Sequence, residues 1–226
     1  TGGGSTLHAS LMRVGPSGSV IGLDKVERWV DHSNSELARC NVTNSKVHFM
    51  SASEMTFPNN HFDFAISGFL GWRLNFDFSK NQATGPDTVM NEIVRVLKPG
   101  GKVGISTWML QEDTEWMERF VSSYSHPARR TYQKENEAGW EIILKHSGLR
   151  DTSILHEIVE FEYLTLDDWW DQMLGYGWRD QIESLAKKQG VDAESIKLKA
   201  FEKVEDYRTG EGVTFKRKVL YSLGTK

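Results

Sequence analysis

Near the start of the chain the residues best suited to chemistry are Gly2, Gly3 and Gly4, followed twenty positions after Gly4 by the carboxylate of Asp24. Glycines at a strand-to-helix turn let a ligand approach the backbone closely, and the helix that follows offers free N–H donors. An acid at the end of the next strand can accept from both hydroxyls of a ribose. Together these residues describe a nucleoside-binding turn. Gly-Gly-Gly-Ser is also the composition of a flexible linker. The spacing to Asp24, and the strand pattern Val20-Ile21-Gly22-Leu23 that leads into it, argue for a site. A dinucleotide fingerprint G-x-G-x-x-G begun at Gly2 needs its third glycine at position 7, where the chain has Leu7. That departure weighs against a nicotinamide dinucleotide and leaves an NAD(P)-binding oxidoreductase as an alternative.

These residues need elements to position them. Leu7, Leu11, Met12 and Val14 have helical spacing, Gly15-Pro16-Ser17-Gly18 breaks it, and a short strand runs into Asp24. A polar helix is predicted over 27–39, a strand over 47–50, a turn at Pro58-Asn59-Asn60 and an apolar strand over 62–67. Helical spacing returns at Val89, Met90, Ile93, Val94 and Leu97, stops at Lys98-Pro99-Gly100-Gly101, and gives way to a strand over 103–107. Such alternation predicts an α/β, Rossmann-like, doubly wound and mostly parallel sheet covered on both faces. A further helix is expected over 140–146. Period-2 spacing at Leu155, Val159, Phe161 and Tyr163, and again at Val213, Phe215, Val219, Tyr221 and Leu223, predicts antiparallel strands at the sheet edge. The expected organisation is a cofactor-binding core over 1–164, a cap of two helices inserted over 165–210, and a final strand over 211–226.

Two further runs carry a resemblance. Ser51-Ala52-Ser53-Glu54-Met55-Thr56-Phe57-Pro58-Asn59-Asn60-His61-Phe62-Asp63 and Glu92-Ile93-Val94-Arg95-Val96-Leu97-Lys98-Pro99-Gly100-Gly101 resemble class I S-adenosylmethionine-dependent methyltransferases. The likeness is greatest to the broad group that includes ubiquinone/menaquinone methyltransferases, where the runs read roughly D-A-x-x-L-P-F-x-d-x-s-F-D and E-x-x-R-V-L-K-P-G-G. It covers residues 1–110; beyond them only the order of elements is similar. The resemblance implies S-adenosylmethionine as cofactor. Gly2 and Gly4, with Gly3 between, match the end of the G-x-G-x-G loop beside the methionine portion. Asp24 matches the ribose-binding acid, Lys25-Val26 would flank the adenine, and Ala52 would present its N–H to the adenine edge. Ser51 stands where the group commonly has Asp, and a neutral hydroxyl accepts more weakly than a carboxylate. Ser67 would lie near the sulfonium. Lys98-Pro99-Gly100-Gly101 reads as architecture, with glycine closing the helix and proline stopping its continuation. The group's first strand, with the acid and glycine that open the loop, would precede Thr1. Because that strand is central in the sheet, and unpaired interior backbone is costly, further N-terminal residues are expected in the natural protein.

Methyl transfer from a sulfonium is an in-line displacement in which positioning supplies much of the catalysis, and a general base is optional. Ser67-Gly68-Phe69-Leu70 lacks the Asn/Asp-Pro-Pro-aromatic signature of enzymes that methylate nucleic-acid amino groups. His8 reads as a helix-surface residue and His61 as a solvated turn residue, so no catalytic base is assigned. Phe69, Trp72, Trp108 and Trp170 are the candidate walls of an acceptor pocket, Trp72 and Trp108 because they follow strands at the carboxyl edge. Trp169, Trp170, Met173, Tyr176 and Trp178 could form the apolar face of a lid. Each of these also suits ordinary core packing. Collectively they favour a small apolar or aromatic methyl acceptor.

The 226 residues carry a net charge of −4 with charges of both signs intermixed, so no basic stripe suggests nucleic acid. Lys216-Arg217-Lys218 reads as a solvated strand face. The single cysteine, Cys40, excludes an intrachain disulfide and cysteine-rich metal sites, and no metal is expected. No apolar run approaches the ~20 residues of a membrane span, and without a visible signal peptide a cytoplasmic location is the default. Ser51 and the lack of an assigned base keep a non-catalytic nucleoside-cofactor-binding partner domain as a further alternative.

Overall fold

The structure is a computed structural model that describes residues 2–124 and 134–226. Helix α1 (Ser5–Val14) starts from Gly4, whose left-handed φ of 89° suits glycine, and buries Leu7. Strand β1 (Val20–Asp24) pairs in parallel with β2 (Ser45–Phe49), setting Asp24 opposite Phe49. Between them α2 (Glu27–Arg39) buries Val30, Ser33 and Leu37, three and four residues apart on one face. Leu7, Val30, Leu37 and Val47 form one apolar cluster. Asn34 fixes the helix to the strand by donating to the Val47 carbonyl and accepting from the Val47 N–H, both at 2.9 Å.

Strand β3 (Phe62–Gly68) leads to a small hairpin of β4 (Phe76–Asp77) and β5 (Gln82–Ala83), then to α3 (Thr88–Val96), whose N-cap Asp87 accepts from Met90. Strand β6 (Leu97–Gln111) runs parallel to β3. After it come α4 (Glu112–Ser122), α5 (Glu137–His146), β7 (Arg150–Tyr163), α6 (Leu166–Met173), α7 (Arg179–Gln189), α8 (Ala193–Lys203), β8 (Arg208–Thr209) and β9 (Gly212–Thr225). The larger sheet has the order β3-β6-β9-β7 with β8 on β9; β1 and β2 form their own pair. The fold is Rossmann-like, a mostly parallel arrangement with antiparallel pairing at its C-terminal end. Among the described residues β3 is paired with β6 alone, and Phe64 and Ile66 stay 66% and 60% exposed, so this strand is not covered as its apolar pattern predicts.

Three other differences have physical causes. The insertion holds three helices, because Gly190 at φ 68° ends α7 and Asp192 caps α8 through the Ser195 N–H. Helix α4, absent from the expectation, begins with Glu112, Asp113 and Glu115, acids that suit a helix N-terminus. Glycine does not close α3: Leu97 is already extended, and Gly100, at φ 79°, shapes the start of β6. There a Cβ on Gly101 would lie 2.8 Å from the Lys98 carbonyl oxygen and 3.1 Å from that of Asp63.

The chain divides into two compact units, the first comprising 1–107, 135–155 and 221–226, the second 108–134 and 156–220. The second unit therefore takes in more than the 165–210 insertion. Its core includes Trp116, Trp169, Met173, Trp178, Leu185 and Phe215. In the first unit the two motif runs are the two sides of one clamp. Arg95 Nε donates to Glu92 Oε1 at 2.6 Å, and its Nη atoms donate to the Phe57 and Met55 carbonyls, each at 2.7 Å. Glu92 Oε2 accepts from the Met55 N–H at 2.6 Å.

The Arg95 hydrogen bond holds the Glu92 carboxyl below the usual 4.5, against a smaller opposing effect of burial. A depressed folded-state value stabilises fully above pH 4.5, and that stability is lost as pH falls through the folded value. Glu92→Gln is expected to cost about 1–2 kcal/mol at neutral pH. Urea melts between pH 7 and 3 should show the gap to the wild type closing on acidification.

Candidate cofactor and acceptor site

The end of β1 and the turn into α1 meet at one carboxylate. The Gly2 N–H donates to Asp24 Oδ2 at 2.8 Å, and the Val26 N–H donates to Oδ1 at 2.9 Å. Burial opposes ionisation of Asp24, these backbone donors act against it, and the carboxyl lies below its ordinary value. Gly2 lies at φ 50°, and a Cβ on Gly2 or Gly3 would meet no atom within 4 Å. The turn thus has an ionised acceptor on one side and open space over its backbone, a fit to a ribose-bearing cofactor.

Neighbouring positions follow from the ladder. The Met50 N–H donates to the Asp24 carbonyl at 2.9 Å, which sets Ser51 and Ala52 just past the end of β1. Ser51 Oγ lies 2.8 Å from Ser53 Oγ and accepts from the Ser53 N–H at 3.3 Å, so part of its hydrogen-bonding capacity is used locally. Lys25 is exposed. At the end of β3, Ser67 is half-buried opposite Ile105, and a Cβ on Gly68 would lie 2.6 Å from Thr6 Oγ1 on α1. Glycine at 68 therefore lets the first turn of α1 close on the end of β3. His8 is exposed on α1, with its ring near Gly4.

The segment after β3 turns sharply. Phe69 has φ 53°, an unfavourable conformation for a bulky side chain, and its N–H donates to the Ser106 carbonyl at 2.9 Å. Phe69, Leu70 and Leu74 are exposed. Trp72 is placed differently from a pocket wall: it is 3% exposed, its indole donates to Asp87 Oδ2, and its ring packs 5.1 Å from that of Trp140. Trp170 is likewise 4% exposed and packs on Trp169 and Phe201. Large indoles bury much apolar area, and both are drawn into cores. Trp108 is half-buried.

Sequence reading missed Glu135, which lies in a polar run with no motif. It is buried, accepts from the Trp72 N–H at 2.6 Å and from Trp140 Nε1 at 2.9 Å, and is held by Thr107 as well. Burial pushes its carboxyl up despite these donors. Its partners come from elements up to 63 residues away, and no local pattern could reveal them. It also missed Asp113, Tyr163 and Arg217, a buried cluster of the second unit.

The strand order, glycine turn and acid-tipped strand define a class I S-adenosylmethionine-dependent methyltransferase fold. The family described as "Methyltransferase domain" matches residues 1–162, and the chain belongs to it. A demethylmenaquinone methyltransferase of Geobacillus sp. (strain WCH70) is 37% identical over 90 residues, which is 40% of this chain and 35% of that protein. The chain thus matches about a third of that relative's length. Among solved structures, the YcgJ protein of Bacillus subtilis superposes with TM-score 0.60 at 16% identity over 99% of this chain and 89% of that one. A putative methyltransferase of Bacillus halodurans gives 0.57 at 16% identity, with the same coverage of 99% and 89%.

Glu135→Ala leaves three buried donors, the Trp72 N–H, the Trp140 indole and the Thr107 hydroxyl, without their acceptor and should destabilise by roughly 2–4 kcal/mol. Hydrogen exchange should show faster exchange at amides 69–73 and unchanged protection in β1 and β2. Unchanged exchange at 69–73 would refute the pinning role of Glu135.

Proposed function

We propose that this chain transfers the methyl group of S-adenosylmethionine to a small apolar or aromatic molecule. The observation that carries this reading is the ionised Asp24 tied to the Gly2 N–H at the mouth of the glycine turn. In this assignment Asp24 accepts from the ribose hydroxyls, and Gly2, Gly3 and Gly4 leave room for the methionine portion. Ser51, Ala52 and Lys25 border the adenine, and Ser67 faces the reacting centre. When bound, the cofactor supplies an electrophilic methyl on sulfur. The chain's own task is to align the acceptor with it and exclude water.

Phe69 is the candidate pocket wall of the first unit that remains exposed, and its apolar character supports the acceptor class. The name of the Geobacillus relative, demethylmenaquinone methyltransferase, supports a small-molecule acceptor as well. No helix among the described residues is long and apolar enough to cross a membrane. The exposed free thiol of Cys40 suits the reducing cytoplasm, which is the proposed location.

Calorimetric titration with S-adenosylhomocysteine tests the cofactor assignment. Asp24→Ala should weaken binding by roughly 10- to 150-fold, the effect of losing a charged hydrogen-bond partner. Wild-type protein that ignores S-adenosylhomocysteine and binds NAD(P)H instead would overturn the reading.

A further inference from the structure

A ribose held by Asp24, with the methionine portion at the glycine turn, sends the base the other way, past the ends of β1 and β2. Asp24 stands opposite Phe49 in that ladder, and the Met50 N–H donates to the Asp24 carbonyl at 2.9 Å. The next residues, Ser51, Ala52 and Ser53, are all half-buried, and none carries a charge. The adjoining acid, Glu54, is exposed, and its N–H donates back to the Ser51 carbonyl at 3.2 Å.

The side-chain groups on offer to the base are thus a pair of hydroxyls. Ser51 Oγ lies 2.8 Å from Ser53 Oγ, and either oxygen can be the donor. Ser51 Oγ also accepts from the Ser53 N–H at 3.3 Å. A serine hydroxyl has one proton to give and two lone pairs to fill. When Ser51 donates to Ser53, its second lone pair is free to accept from an amino group. When Ser53 donates to Ser51, both lone pairs are filled and the Ser51 proton is free for an oxygen. Each arrangement uses the proton and both lone pairs of Ser51, so neither strands a polar group. A carboxylate in this place has no second state, because it accepts only and repels an oxygen.

We infer that the Ser51–Ser53 pair reads the 6-position of the purine without choosing between nitrogen and oxygen, so that the site takes cofactor analogues bearing either. This assignment rests on the proposed methyltransferase reading and concerns the base specificity of the same site. Ser51 sets that specificity; no bond is made or broken at it.

The test is calorimetric titration of the full chain with S-adenosylhomocysteine and two analogues of nearly equal size, bearing 6-methylamino or 6-methoxy on the purine. Both analogues keep ring N1 an acceptor, as in adenine, so the Ala52 N–H meets the same edge in all three. The two should bind within about threefold of each other, since each gains one neutral hydrogen bond. Ser51→Asp should favour methylamino over methoxy by at least about tenfold, the effect of a charged acceptor. Ser53→Ala takes away the acceptor for the Ser51 proton and should tilt the ratio toward methoxy. A tenfold preference in the wild type, a ratio that neither substitution moves, or exclusion of both analogues while S-adenosylhomocysteine binds overturns the assignment. Failure of S-adenosylhomocysteine to bind the wild type would instead sink the methyltransferase reading, whatever the analogues show.

Discussion

The hydrogen bonds between Glu92, Arg95 and residues 55–59 tie the end of α3 to the loop that leads into β3. Arg95 serves Glu92, the Met55 and Phe57 carbonyls and Asn59 Oδ1, while its own carbonyl accepts from the Asn60 N–H at 3.0 Å. The next carbonyl, of Val96, accepts from the His61 N–H at 2.7 Å and so sets where β3 begins. The C-terminal residue closes on the same place, with Lys226 Nζ donating to the Leu97 carbonyl at 2.7 Å and to Asn60 Oδ1 at 2.8 Å. A planar guanidinium with several fixed donors can hold carbonyls of an irregular loop that no ladder satisfies, which a lysine could not do. The segment entering β3, the loop leaving β2 and the end of β9 are thus tied to one helix end.

This explains which parts of the molecule were legible in the sequence. The bounds 20–24 and 27–39 could be read closely because local signals agree there: an apolar run ending in an acid, then helical spacing. The two motif runs were recognisable by their resemblance to a family pattern, and the structure joins them: Glu92 and Arg95 of the second bind the Met55 and Phe57 backbone of the first. The glycine turn and Asp24 were legible because their spacing is local, and the Gly2–Asp24 hydrogen bond joins them directly. Trp72, Trp170 and Trp178 misled, since an indole has the same composition signal in a core as in a pocket. Glu135 and Arg217 could not be read at all. Each looks like a surface charge in sequence and becomes buried through partners 63 and 104 residues away.

Those two buried charges solve opposite problems. Glu135 is surrounded by donors, the Trp72 N–H, the Trp140 indole and the Thr107 hydroxyl, so its carboxylate organises backbone and side chains that would otherwise lack an acceptor. Burial still pushes its carboxyl upward, which makes it a contributor whose proton the folded state holds more tightly than the unfolded chain does. Stability on its account falls as pH rises, the reverse of Glu92. Arg217 instead carries a full counter-charge in Asp113, whose strong hydrogen bond keeps the guanidinium protonated against the effect of burial. Asp113 and burial together raise the Tyr163 hydroxyl well above its ordinary value, so Tyr163 stays neutral and donates. A fully satisfied carboxylate is enough to account for Glu135.

Positioning is what an in-line methyl transfer requires of a protein, and it constrains where flexibility can reside. In the first unit β1 and β2 share a continuous register from Val20–Ser45 to Asp24–Phe49, and the Gly2 N–H is spent on Asp24. At the end of β3, Phe69 holds a left-handed conformation that costs free energy, and the Ser106 carbonyl and the Glu135 hydrogen bond to Trp72 hold the turn on either side of it. Strain kept in place by hydrogen bonds from two elements fixes the backbone of this turn at the carboxyl end of β3. The Gly175-Tyr176-Gly177 turn of the second unit is built differently, as a π turn in which a Cβ on either glycine would meet no atom within 4 Å.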